Sequence, residues 1–76
     1  MGFMTEKNTA IEKALNILMA FVPDNMEMGT LEISKMLGLN KATASRILLT
    51  LAKKRFLQQN PKTKTFTLGQ SALLLG

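Results

Sequence analysis

Apolar residues recur at helical spacing in three stretches of this chain and at alternating spacing in a fourth. In the first stretch Ile11, Ala14, Leu15, Leu18, Phe21 and Val22 stand at i, i+3, i+4, i+7, i+10 and i+11. That spacing predicts a helix, capped at Asn8 or Thr9 and running to about Val22, with the stripe turned to a core. Ile17 and Met19 add apolar surface beside the stripe, either as a wide core face or as a flank that meets a second subunit. Pro23 stops the helix, and PDNMEMG reads as a loop in which Met28 occupies a very short strand. The methionines of this loop read as adaptable core filler.

The second and third stretches lie close together, in Thr30 to Lys54, and the rest of the chain is arranged around them. Thr30 is the predicted N-cap of a helix whose apolar face is Ile33, Met36 and Leu37. Gly38 suits the left-handed position that ends a helix, and Leu39 fills the angle of the turn. Asn40 is a second N-cap. Ala44, Ile47, Leu48 and Leu51 then fall at i, i+3, i+4 and i+7 and share one face of a further helix. Its opposite face carries Ala42, Arg46 and Lys53, flanked by Thr43, Ser45 and Thr50, with Lys41 in the first turn. Such a face is small, hydroxylated and basic. A helix-turn-helix sets the N-terminal residues of its second helix against base edges in the major groove. Small residues allow close approach, hydroxyls bond to base or phosphate, and Arg can fork onto guanine. An ordinary helical hairpin with a solvated outer face has the same local pattern.

After Lys54 the period changes from 3.6 to 2. Phe56 and Leu57 open a strand, Asn60-Pro61-Lys62-Thr63 makes a turn, and Thr65-Phe66-Thr67-Leu68 alternates with Phe66 and Leu68 inward. A hairpin directly after a helix-turn-helix is a wing. Lys62 and Lys64 lie near its tip, where they would reach phosphate or an adjacent minor groove. Ser71 can start a fourth helix, and Leu73-Leu74-Leu75 would pack on the first helix or mark a domain cut from a longer chain. The expected fold class is therefore mainly α with a small β-hairpin. It is a winged helix-turn-helix of three core helices, a wing and the start of a fourth helix, spanning 9–76 behind a flexible arm at 1–8.

Charge changes this picture more than composition does. The first 32 residues hold five acids and two lysines, a net −3, whereas residues 33–76 hold eight basic residues and no acid, a net +8. Segregation of this kind is the footprint of a polyanion-binding surface, or of contact with an acidic protein or a membrane surface. A membrane-surface helix would need large apolar residues on an exposed helix, and here the apolar faces are committed to a core. With 76 residues the chain makes one small domain, and 46% hydrophobic content supports folding rather than disorder. No apolar run approaches a membrane span and MGFMTEKN has no signal-peptide core, so a cytoplasmic protein is expected.

Enzyme chemistry is not expected. The chain has no cysteine and no histidine, which removes thiolate metal sites, disulfides and the commonest general base. Ser34, Ser45 and Ser71 have no histidine to activate them, and Gly29, Gly38 and Gly69 are isolated rather than gathered in a phosphate loop. No cofactor or metal is implied.

IEKALNIL at Ile11 to Leu18, LEISKMLGLNKATASRILLTL at Leu31 to Leu51 and FTLG at Phe66 to Gly69 resemble the N-terminal domain of the IclR family of bacterial transcriptional regulators. The resemblance covers almost all of residues 9–76. It implies a winged helix-turn-helix that binds an inverted-repeat operator in double-stranded DNA as a homodimer, or as a higher oligomer in the full-length protein, and a C-terminal domain outside these residues that senses a small molecule and helps oligomerise. By this similarity Lys41, Thr43, Ser45 and Arg46 fall where family members contact DNA. Thr30, Asn40, Ala42, Lys53, Lys62 and Lys64 complete the expected DNA-binding set, with the recognition helix at about 41–53 and the wing at about 56–68. One position departs from the family pattern: Arg55 stands where members usually have Gly, and an L-residue there would have to adopt positive φ.

Two readings of different class follow. The first is sequence-specific DNA binding by a regulator. The second is a winged-helix protein-interaction module for an acidic partner, because folds are reused across functions. The acid-free stretch from Ile33 onward favours the first. RNA is a weaker third choice, since no aromatic platform for stacking bases is evident.

Overall fold

The computed structural model describes residues 9–22 and 25–70. Three helices, α1 (Thr9–Phe21), α2 (Thr30–Leu37) and α3 (Lys41–Lys53), precede two strands, β1 (Leu57–Gln59) and β2 (Phe66–Leu68). The strands pair antiparallel with Leu57 opposite Leu68, Gln58 opposite Thr67 and Gln59 opposite Phe66. Met28 forms an antiparallel bridge to Phe66, so the loop before α2 lies along the other edge of β2. The expected very short strand at Met28 is thus a single bridged residue. The expected arm at 1–8, Pro23 and the fourth helix from Ser71 lie outside the described residues.

Every element contributes to one core: Ile17 and Phe21 from α1, Met28, Ile33 from α2, Ala44, Leu48 and Leu51 from α3, Leu57 from β1 and Phe66 from β2. Burying each large apolar side chain is worth about 1.5–3 kcal/mol, and this shared burial, rather than any one helix's propensity, holds such short elements together. Ser34 is the buried polar residue of α2, and its hydroxyl donates to the Leu31 carbonyl at 3.1 Å.

Three expectations about the core need correction. Ile11 and Leu15 of α1 and Val22 just past its end are 57%, 53% and 61% exposed, whereas Ile17, placed beside the stripe as part of a wide core face or of a subunit flank, is fully buried and belongs to the core. The core face is centred on Ile17 and Phe21, one position round from the centre that the spacing suggested, because apolar residues on this helix span more than one face. In α2, Met36 is exposed and Ser34 takes the inward position beside Ile33. Of the loop methionines, Met28 fills the core but Met26 is exposed.

The helix ends follow the sequence with one exception. Gly29, not Thr30, is the N-cap of α2, and its N–H donates to the Glu32 carboxylate at 2.8 Å. Gly38 takes the left-handed conformation at φ 66°, and the Leu39 N–H reaches back to the Ser34 carbonyl at 2.9 Å, a Schellman closure. Asn40 caps α3 through its Oδ1, which accepts the Ala42 N–H at 2.8 Å. The far end of α3 repeats the Schellman pattern: the Phe56 N–H donates to the Leu51 carbonyl at 2.9 Å, and Arg55 stands at φ 68° in the position that glycine favours.

Candidate nucleic-acid interface

The turn at Gly38–Asn40 sets α3 across α2 with Ala44, Leu48 and Leu51 inward. What remains outside is fixed by helical periodicity. Ala42, Arg46, Leu49 and Lys53 recur at i, i+4, i+7 and i+11 and are all exposed. Lys41 is exposed in the first turn, and Thr43 and Ser45 are half-buried on the two flanks. The face carries three positive charges and no acid within α3. Thr50 is exposed, but its hydroxyl donates to the Arg46 carbonyl at 2.8 Å and is already satisfied by its own helix.

Thr30, Asn40, Lys41, Ala42 and Ser45 line one shallow hollow where the start of α2 meets the start of α3. Five of the ten expected residues are thereby brought together. Asn40 has a structural task there, since its side chain caps the helix that it begins. Free N–H groups and the positive end of the helix dipole face outward at such a terminus, which suits phosphate. Arg46 lies on the other side, at the rim of a mostly apolar groove with Ile11, Ala14 and Ile47. Lys53 is separated from the hollow by the length of α3.

The wing carries its cations at the tip. Asn60 organises the turn: its Oδ1 accepts the N–H groups of Lys62 at 2.9 Å and Thr63 at 3.4 Å, and its carbonyl accepts the Lys64 N–H at 2.7 Å. Lys64 takes positive φ at 65°, and both lysines are exposed. Lys62 shares a second hollow with Gln58, Gln59, Asn60, Thr65 and Glu27, apart from the α3 residues. Three exposed residues of this basic side lie outside the expected DNA-binding set. Leu49 stands between Arg46 and Lys53, and its place could have been read from the i, i+4, i+7, i+11 pattern alone; Lys54 and Arg55 extend the positive charge past the end of α3.

Among the described residues no group of three or more potential metal ligands occurs, and no helix is long and apolar enough to cross a membrane. The family model of the IclR helix-turn-helix domain matches residues 10–61. The chain is 34% identical over 67 residues to the HTH-type transcriptional regulator XynR of Escherichia coli K12, covering 88% of this chain and 27% of that protein. It is equally 34% identical over 67 residues to the HTH-type transcriptional regulator TsaQ1/TsaQ2 of Comamonas testosteroni, with 88% and 24% covered. Among solved structures, an IclR family transcriptional regulator from Brucella abortus superposes with a TM-score of 0.83 at 34% identity, over 90% of this chain and 26% of that one. A regulator of the same family from Alicyclobacillus acidocaldarius gives 0.79 at 27% identity, over 87% and 27%. The chain therefore spans about a quarter of the length of these relatives. Those relatives are transcriptional regulators, a non-enzymatic class, and the sequence motifs, the winged fold and these matches have one consequence: the chain belongs to the IclR family and is the helix-turn-helix DNA-binding domain of a transcriptional regulator.

Proposed function

We propose that residues 9–76 read an operator in double-stranded DNA by inserting α3 into the major groove while the wing tip lies on the flanking backbone or minor groove. The observation that carries this reading is the outward face of α3, where Ala42, Arg46 and Lys53 are exposed along the length of a helix whose N-terminus is capped by Asn40. In this reading Arg46, exposed on that face, reads a base edge, with Lys41, Thr43 and Ser45 beside it. Thr30, Asn40, Lys53, Lys62 and Lys64 hold phosphates and fix register.

The operator in this proposal is an inverted repeat bound by two copies. The support is the stripe of exposed Ile11, Leu15 and Met19 on α1 and Val22 just past its end, at i, i+4, i+8 and i+11, an apolar surface that a second copy would cover. A small-molecule effector would act through a further domain, as the relatives are more than three times as long as this chain. The protein would work in the cytoplasm.

The test is a titration of the chain with random duplex DNA and with selected sites at several salt concentrations. The expected result is a steep fall of affinity with salt, with a slope of about −0.9 per phosphate neutralised, and enrichment of an inverted repeat. No binding at low salt would overturn the reading. Steep salt dependence without enrichment would overturn base reading and leave a DNA-coating module.

A further inference from the structure

The loop before α2 is tied to the wing at three points. Asn25, left-handed at φ 50°, accepts the Leu68 N–H on its Oδ1 at 2.7 Å. Met28 and Phe66 exchange two backbone hydrogen bonds, at 3.0 and 2.7 Å. Between them the exposed Glu27 turns its carboxylate to the far side of the wing loop, where Oε2 accepts the Thr63 hydroxyl at 3.3 Å and the Thr65 hydroxyl. The first two ties hold β2. The third reaches beyond β2 to the segment that carries the cations, since Thr63 lies between Lys62 and Lys64.

Strand pleating puts Glu27 where it can do this. Met28 and Phe66 are bridged and both are buried, so their neighbours Glu27, Thr65 and Thr67 project to the opposite face. All three line the hollow that Lys62 enters. The hydrogen inventory shows what the carboxylate adds. Thr63 and Thr65 have one hydroxyl proton each, and their Oγ1 atoms are 2.6 Å apart. A carboxylate only accepts. With the Thr65 proton donated to Glu27, the Thr63 proton goes to Thr65 or to Glu27. In both arrangements Glu27 closes the cluster, and its charge strengthens the bond. Asn60 fixes the near side of the same loop through Lys62 and Thr63.

We propose that Glu27 is a positioning residue for DNA binding: it fixes the Thr63–Thr65 side of the wing loop and with it the directions in which Lys62 and Lys64 leave the hairpin. This rests on the reading of the wing tip as a DNA contact. It also gives an acid beside a phosphate-binding surface two opposed effects, repulsion through its charge and alignment through its hydrogen bonds.

Two substitutions separate those effects. Glu27→Gln and Glu27→Ala remove the same charge, and only glutamine keeps an acceptor for the threonine hydroxyls. We expect Glu27→Gln to bind selected duplex DNA at least as tightly as the parent, and Glu27→Ala to bind roughly three- to ten-fold more weakly than Glu27→Gln, the range that one net hydrogen bond provides. Equal affinities of the two variants overturn the proposal. Lys62→Ala/Lys64→Ala tests the underlying reading separately, because an unchanged salt slope would remove the wing from the contact surface. In that event the role of Glu27 in DNA binding falls with it, and a Glu27→Ala that still binds more weakly than Glu27→Gln cannot act through the wing. Amide exchange on the free chain gives an independent readout. Thr63 to Thr65 exchange several-fold faster in Glu27→Ala than in Glu27→Gln, with Leu48 unchanged as the control for folding, and identical exchange in the two variants overturns the positioning role even where affinities differ.

Discussion

The carbonyl oxygen of Arg55 lies 2.5 Å from where a Cβ on residue 69 would stand, so glycine at 69 is what allows the end of α3 and the end of β2 to touch. The carbonyl carbons of Arg55 and Leu57 are each 3.0 Å from the same point, and the Gly69 N–H donates to the Phe56 carbonyl at 2.8 Å. All three obstructing atoms are backbone, which cannot swing aside as a side chain can. Gly69→Ala should therefore part β2 from the end of α3 and weaken the pairing of Leu57 with Leu68. The expected cost is about 1–3 kcal/mol, read as a drop in melting midpoint of roughly 4–8 °C per kcal/mol for a domain of this size. An unchanged midpoint would mean that the hairpin shifts without cost and that the contact is incidental.

Arg55 itself stores strain. It sits at φ 68° in the C-terminal closure of α3, where an L-residue pays for its Cβ and glycine does not. Arg55→Gly should raise stability by about 0.5–1 kcal/mol, the relief being partly offset by the greater freedom of glycine in the unfolded chain. DNA affinity should move the other way, falling on all sequences alike because a positive charge beside the wing is lost. A lower melting midpoint for Arg55→Gly would refute the strain argument, and unchanged affinity would place Arg55 outside the DNA surface.

The turn chemistry was readable because it is local. Gly38 and Asn40 announce the junction of α2 and α3 through conformational freedom and side-chain capping, and both adopt the expected geometry. The hairpin was readable for the same reason, from Asn60-Pro61 and the alternation around Phe66. The inward face of α1 was not. Ile11, Leu15, Ile17, Leu18, Met19, Phe21 and Val22 surround so much of the helix that periodicity cannot choose among faces, and burial is decided by what α3 and β2 present to it. Leu49 is apolar yet exposed, so it belongs to neither the core spacing of α3 nor its polar set, and only its place between Arg46 and Lys53 assigns it to the outward face. The ties from Asn25 and Glu27 to the wing join residues about 40 positions apart, and no local pattern announces them.

Asn40 combines a cap with a place on the basic surface, and substitution can divide the two. Asn40→Ala removes the acceptor for the Ala42 N–H and should cost about 1 kcal/mol of stability. Asn40→Asp keeps an acceptor of equal capping strength and should melt near the parent midpoint. Its carboxylate would face phosphate, so DNA affinity should drop on random and selected sequences together. Asn40→Asp with full affinity would move Asn40 off the interface and leave it as a cap alone.

The stripe on α1 predicts a separation of folding from assembly. Leu15 is 53% exposed, so Leu15→Lys should leave the melting midpoint of the isolated chain nearly unchanged. Pairing of two chains on an inverted repeat should weaken, seen as lost cooperativity in titration and as monomer in sedimentation, while affinity for a single half-site is retained. Cooperative binding by Leu15→Lys equal to that of the parent would direct the search for the subunit contact to another face.

Arg46 and Lys62 lie on different elements, exposed on α3 and at the wing tip, and their loss should leave different signatures. If Arg46 forks onto a base, Arg46→Ala weakens selected operator DNA by about 1–3 kcal/mol and relaxes preference at one position, with a much smaller effect on random sequence. An equal loss on both would reduce Arg46 to a phosphate contact. Lys62→Ala should weaken all sequences alike and make the salt slope shallower by about one unit. The two sites share no contact, so the double variant should show additive losses. Additivity matters here because α3 and the wing are joined through the Arg55–Gly69 contact: a large coupling would mean that the wing adjusts the seating of α3 in the groove, and the two elements would then have to be treated as one reading head.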